Sequence, residues 1–141
     1  MYDSVAEASA GQAITTEYLA AKAFFSFHSI PSSYSDASDD CESRGGNLAS
    51  VANATENEIL FNELGAGTWV GYSDVAVDQT WVWEDGTTGT YTNWATDQPD
   101  NGTDADCAMF DTNGQWEDYD CTENNFYACK YATVEAATAG G

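Results

Sequence analysis

The chain has 141 residues, 43% apolar and 13% aromatic, enough to bury one core and too few for two. Three basic residues (Lys22, Arg44, Lys130) stand against 24 acidic ones, a formal net charge of −21. Such a surface repels phosphate, which excludes nucleic acid and anionic lipid as partners, and it attracts cations. No apolar run reaches the roughly 18 residues of a membrane helix, so no membrane insertion is expected.

In chain order, residues 1–20 read as an N-terminal tail or assembly segment, 21–132 as the folded domain, and 133–141 as an Ala/Thr/Gly-rich tail or linker. A first strand is expected over 24–27. Tyr34, Ala37 and Cys41 then fall at i, i+3 and i+7 on one helical face, and Gly45-Gly46 stops that helix. A second helix opens on a capping box, Thr55 with Glu58 three residues on. Ile59, Leu60 and Leu64 give its apolar stripe, and Gly65 ends it. Short aromatic strands are expected over 68–72, 80–83, 107–110, 115–116 and 126–131. Helices precede strands, which indicates an α+β fold with segregated elements. The stretch 86–105 carries only a short extended piece at 91–94. Because it contains Trp94 and Pro99, it reads as an ordered, functional loop.

Cys41, Cys107, Cys121 and Cys129 include no C-x-x-C pair, and His28 is the single histidine. Two disulfides therefore fit better than a zinc site, in an oxidising, extracellular compartment. Four cysteines allow three pairings, and spacing does not choose among them. With one histidine and no G-x-S-x-G, P-loop or H-E-x-x-H sequence, an enzyme is not expected. His28 beside the N-terminal aromatics reads as structural.

Between 97 and 123 lie nine acidic residues and no Lys or Arg, interleaved with Pro99, Cys107, Trp116 and Cys121. Converging carboxylates repel by about 4 kcal/mol per pair at 4 Å and intermediate dielectric. A hard divalent cation offsets this. Ca²⁺, taking 6–8 oxygens in a flexible shell, suits the region better than the tight octahedron of Mg²⁺. No EF-hand pattern occurs, so the site must be assembled from separate segments.

These residues also carry a resemblance. Cys41 with Gly45-Gly46-Asn47-Leu48-Ala49-Ser50, Thr68-Trp69-Val70-Gly71, Trp81-Val82-Trp83 and Tyr91-Thr92-Asn93-Trp94 come first. Gln98-Pro99-Asp100, Cys107, Gly114-Gln115-Trp116-Glu117-Asp118, Cys121 and Cys129 follow. In order and spacing the series resembles a C-type lectin-like domain over about residues 24–131. The resemblance implies two helices packed on antiparallel sheets, a long calcium- and ligand-holding loop, and the disulfides Cys41–Cys129 and Cys107–Cys121. It implies a main calcium site of Gln98, Asp100, Glu117 and Asp118, with Asp104 a further candidate. A cis peptide at Pro99 would turn its neighbours toward one point. Sugar hydroxyls would complete the ion's shell, with Trp94 as a platform. A second calcium site would use Asp74, Asp78, Asn101 and Asp106.

The triplet Gln-Pro-Asp is similar to that of galactose-type members. Three positions depart from the family pattern: Glu117 replaces an Asn, Ala105 stands where calcium-binding members carry Glu, and no aromatic follows the triplet in Asn101-Gly102-Thr103. Asn53 and Asn101 open glycosylation sequons. The expected function is a calcium-dependent module for carbohydrate or glycoprotein. One alternative is a structural or adhesion subunit, with calcium only stiffening the loop and the tails joining a homo-oligomer or larger assembly. A further alternative is calcium-dependent ice binding, for which Thr96 and Thr103 flank the loop.

Overall fold

The computed structural model describes residues 15–100 and 105–140. Its elements run α1 (Thr16–Lys22), β1 (Phe25–Ser32), α2 (Tyr34–Ser43), β2 (Asn47–Leu48), α3 (Ala54–Leu64), β3 (Trp69–Ser73), β4 (Val82–Trp83), β5 (Cys107–Phe110), β6 (Trp116–Tyr119), β7 (Asn125–Lys130) and α4 (Val134–Gly140). Two antiparallel sheets result, ordered β1-β7-β2 and β4-β3-β5-β6.

Both expected helices form, with one change at a cap. Helix α3 is capped by Asn53, whose side chain accepts from the Glu56 N–H at 2.9 Å, while the Glu56 carboxylate accepts from the Ala52 N–H at 2.9 Å. Thr55 therefore lies inside the first turn. Asn53 outcompetes it because its extended backbone leaves Oδ1 facing the free N–H groups of the turn. Gly65, at φ 80°, ends the helix as expected. Two further helices flank this core. Tyr18 of α1 and Ala137 of α4 are buried, so the packed unit extends beyond 21–132 at both ends.

Strand β1 runs five residues past its expected end and tolerates Pro31 because it is an edge strand. Its pairing with β7 breaks register between His28 and Ser32. Strand β6 also runs further than expected, from Trp116 to Tyr119, held by pairs from Phe110↔Trp116 to Cys107↔Tyr119.

Trp69, Phe110, Trp116, Leu48, Ile59 and Leu60 are fully buried between helices and sheets. Gly71 sits where β3 crosses β2. Its N–H donates to the Ala49 carbonyl at 2.7 Å, and a Cβ there would run into the Leu48 carbonyl. Both disulfides are present as the resemblance implies, Cys41–Cys129 closing 88 residues and Cys107–Cys121 closing 14. In the chain-entropy picture these are worth about 4.6 and about 3 kcal/mol. All three basic side chains are in ion pairs at 2.8 Å: Lys22–Glu63, Arg44–Asp40 and Lys130–Glu56.

His28 has a structural setting. Its ring stacks on Tyr127 at 5.1 Å and its Nε2 lies 2.9 Å from the Ser26 hydroxyl. Burial, and then the nearby Arg44 charge, lower its pKa.

Candidate functional site: an acidic corner beside an aromatic cluster

The pairing of Ser73 with Cys107 sets Asp74 and Asp106 side by side, just beyond the ends of β3 and β5. The Asp74 N–H donates to the Asp106 carbonyl at 3.0 Å. A turn then brings the chain back: the Gln79 N–H donates to Asp74 Oδ2 at 2.8 Å, with Gln79 itself at φ 63°. Asp78 is thereby carried to the same corner. One carboxylate oxygen from each of Asp74, Asp78 and Asp106 lies within 4.8 Å of the other two.

Asp74 is 2% exposed, and its Oδ1 is buried with no hydrogen-bond partner. A buried acceptor left unmatched costs about 1–3 kcal/mol, and more when charged. The donor set is all hard oxygen, the chemistry that Ca²⁺ or another hard cation uses. The residues present therefore fit such an ion, and would hold it through Asp74, Asp78 and Asp106. Asn101 and Asp104 lie outside the described residues.

The second group of acids sits along the long loop and β6. Trp116 anchors the loop: its N–H donates to the Asn93 carbonyl and its carbonyl accepts from the Ala95 N–H, both at 2.9 Å. The chain then turns through Asp97 at φ 67° into a cis Gln98–Pro99 peptide. Gln98 Oε1 accepts from the Asp118 N–H at 3.1 Å, which fastens the triplet to β6. Because β6 continues through both acids, successive side chains alternate. Asp118 is 6% exposed with Trp116 on the inner face, and Glu117 is half-buried on the other. Burial, and then the charges of Asp111, Asp118 and Asp100, push the Glu117 pKa up.

Gln98 is thus bonded to the Asp118 backbone, and the charges of Asp100 and Asp118 reach the Glu117 carboxyl. Among the described residues, however, the carboxylates that close to within 4.8 Å as a group of three are those of Asp74, Asp78 and Asp106.

Trp94 pairs with Trp116 in an isolated bridge, and its half-buried ring lies 4.9 Å from Trp81, 5.7 Å from Trp116 and 5.9 Å from Tyr72. Trp81 and Tyr72 join this cluster although neither stood out from the sequence as a site residue. Both are only partly buried, whereas Trp83, stacked on Tyr72 at 4.0 Å, is buried. The available signal was the strict alternation at 81–83, which sets Trp81 and Trp83 on one face and exposed Val82 on the other.

The Lectin C-type domain family matches residues 30–131. An alpha-N-acetylgalactosamine-specific lectin of Patiria pectinifera is 37% identical over 100 residues, 63% of this chain and 60% of that protein. Tetranectin of Homo sapiens is 36% identical over 112 residues, 72% of this chain and 55% of that protein. The chain thus spans little more than half the length of these relatives. Among solved structures, the C-type lectin CEL-I from Cucumaria echinata superposes with a TM-score of 0.70 at 30% identity, over 75% of this chain and 87% of that one. Herring type II antifreeze protein does so with 0.68 at 28% identity, over 74% and 87%. A lectin domain is a carbohydrate-binding module and not an enzyme. With the family matched over most of its length and its fold, disulfides and strand order in place, the chain belongs to the C-type lectin domain family.

Proposed function

We propose that this domain binds carbohydrate or glycoprotein in a calcium-dependent manner, outside the cell, with a galactose-type preference. The observation that carries the reading is the group Asp74, Asp78 and Asp106, three close carboxylates with a buried, unmatched oxygen on Asp74. A calcium ion there would tie the loop after β3 to the start of β5. Beside it, Gln98 fastened to Asp118, with Asp100 and Glu117 near, supplies amide and carboxylate oxygens able to meet a second ion and a pair of sugar hydroxyls. The galactose preference rests on the Gln-Pro-Asp order and on the relative named for N-acetylgalactosamine. Two disulfides support an extracellular setting.

Calorimetric titration tests the reading. Calcium is expected to bind, and galactose to give heat only in its presence. Equal sugar heats in calcium and in EDTA, or no calcium heat, would overturn it. Calcium heat and thermal stabilisation with no sugar heat would instead favour the structural or adhesion subunit.

Ice binding is a second reading, supported by the likeness to herring type II antifreeze protein and, at 27% identity, to a Ca²⁺-dependent type II antifreeze protein. Calcium-dependent thermal hysteresis without sugar heat would decide for it.

A further inference from the structure

The edge strand β4 and the loop that follows it enclose a cleft of about 340 Å³. It is lined on the strand side by Tyr72, Trp81, Val82 and Trp83 and on the loop side by Gly86, Thr87, Thr88 and Gly89. Small-molecule sites begin at about 300 Å³ and combine an apolar lining with a few placed polar groups, which describes this cleft. Trp81 also carries an indole N–H that is buried with no hydrogen-bond partner, so a donor goes unmet in a residue of the cleft wall. The Thr87 hydroxyl is already engaged, donating to Asp85 at 2.7 Å, whereas Thr88 and Gly89 are exposed. The Trp81 ring also lies 4.9 Å from Trp94 of the long loop, four residues before Gln98.

We propose that this cleft is a calcium-independent subsite for a pyranose ring, taking a further residue of a glycan whose terminal sugar is held at the Gln98–Asp118 group. The chemistry follows from the two surfaces a sugar presents. Its axial C–H groups form an apolar face that packs on aromatic rings, and its rim of hydroxyls meets the threonine and backbone groups around the opening. Free phosphate or an anionic ligand does not fit, because none of the eight lining residues is cationic and Glu84 and Asp85 lie within the same segment. The glycan identity rests on the carbohydrate-binding reading above. The cleft itself involves none of the residues assigned to calcium.

Lactose titrated into the labelled protein, followed by NMR with the Trp81 indole assigned through Trp81→Phe, separates the two. In EDTA, lactose is expected to shift the Trp81 indole and the Thr88 and Gly89 amides and to leave Gln98 and Asp118 still. In calcium, both sets are expected to move, with lactose binding about tenfold tighter than galactose. Gly89 has no left-handed backbone and open space around it, so Gly89→Leu plugs the cleft without strain. That variant should abolish the cleft shifts, reduce lactose affinity to that of galactose, and leave calcium binding unchanged.

Cleft signals that stay still while Gln98 and Asp118 move in calcium would overturn the subsite and leave the lectin reading intact. Cleft signals that move in both conditions, with Gln98 and Asp118 silent, would sustain the subsite and sink the calcium site. Shifts that survive in Gly89→Leu would overturn the subsite as well.

Discussion

Two halves of this domain solve opposite problems. The half built on α2, β1, β2 and β7 is closed by the Cys41–Cys129 disulfide, with Ala37, Leu48 and Ala128 fully buried; its polar groups pair internally, as Arg44 does with Asp40 and Tyr127 with the same carboxylate at 2.6 Å. The half built on β3 to β6 and the long loop also has a Trp-rich core, but its rim holds acids that face one another. There the Asp74 Oδ1 is buried without a partner, and the Glu117 pKa is pushed up by burial and by three acidic neighbours. The first half is complete from the polypeptide alone. The second leaves a buried carboxylate oxygen that no hydrogen-bond donor of the polypeptide meets.

Perturbing each half in turn separates them. The largest effect belongs to the closed half. Replacing both Cys41 and Cys129 by Ala should cost about 4–5 kcal/mol of stability in calcium and in EDTA alike, read as the midpoint of chemical unfolding under oxidising conditions. Next comes Asp74→Asn. Calcium at a hundredfold excess over its Kd should stabilise the parent domain by about 2.7 kcal/mol, and this variant should lose most of that increment while its metal-free stability holds or rises. A fall in EDTA as large as that in calcium would mean that Asp74 is only structural.

Glu117→Gln sharpens the contrast further. A carboxyl whose folded pKa is raised stabilises below its ordinary value, and that contribution is lost as pH rises through the folded value. The metal-free parent should therefore lose stability as pH climbs out of the carboxylate range. Glu117→Gln should remove that loss and yet weaken calcium binding; melting curves in EDTA from pH 4 to 7, set beside calcium titrations, check both. The smallest effect is expected from Lys22→Ala. Its pair with Glu63 is about a third exposed, so unfolding should shift by no more than about 0.5 kcal/mol.

Much of the closed half was legible in the sequence, because helical spacing and glycine stops report local backbone preference directly. Tyr34, Ala37 and Cys41 all prove buried on one face of α2, and Gly65 ends α3 where expected. The helices at Thr16–Lys22 and Val134–Gly140 were hidden in Ala- and Thr-rich composition. Each buries a single residue, Tyr18 and Ala137, with no repeating apolar stripe to announce it. At the site, the gathering of Asp74, Asp78 and Asp106 followed from the family resemblance. The residues themselves offered only a run of charge, since the contact depends on the Ser73↔Cys107 pairing across 34 positions. The length of β6 was missed for a related reason. Acids are poor strand formers in isolation, and it is pairing with β5 that carries Glu117 and Asp118 into the sheet.

One consequence lies in how the molecule meets others. With Lys22, Arg44 and Lys130 each neutralised by a neighbour, no basic side chain stands unpaired to draw in an acidic surface, and every long-range approach between two copies begins with like-sign repulsion. In dilute buffer the domain should stay dispersed even when crowded. Raising the ionic strength to 0.1 M, where fields die away within about 10 Å, should let copies come close enough for short-range forces to act.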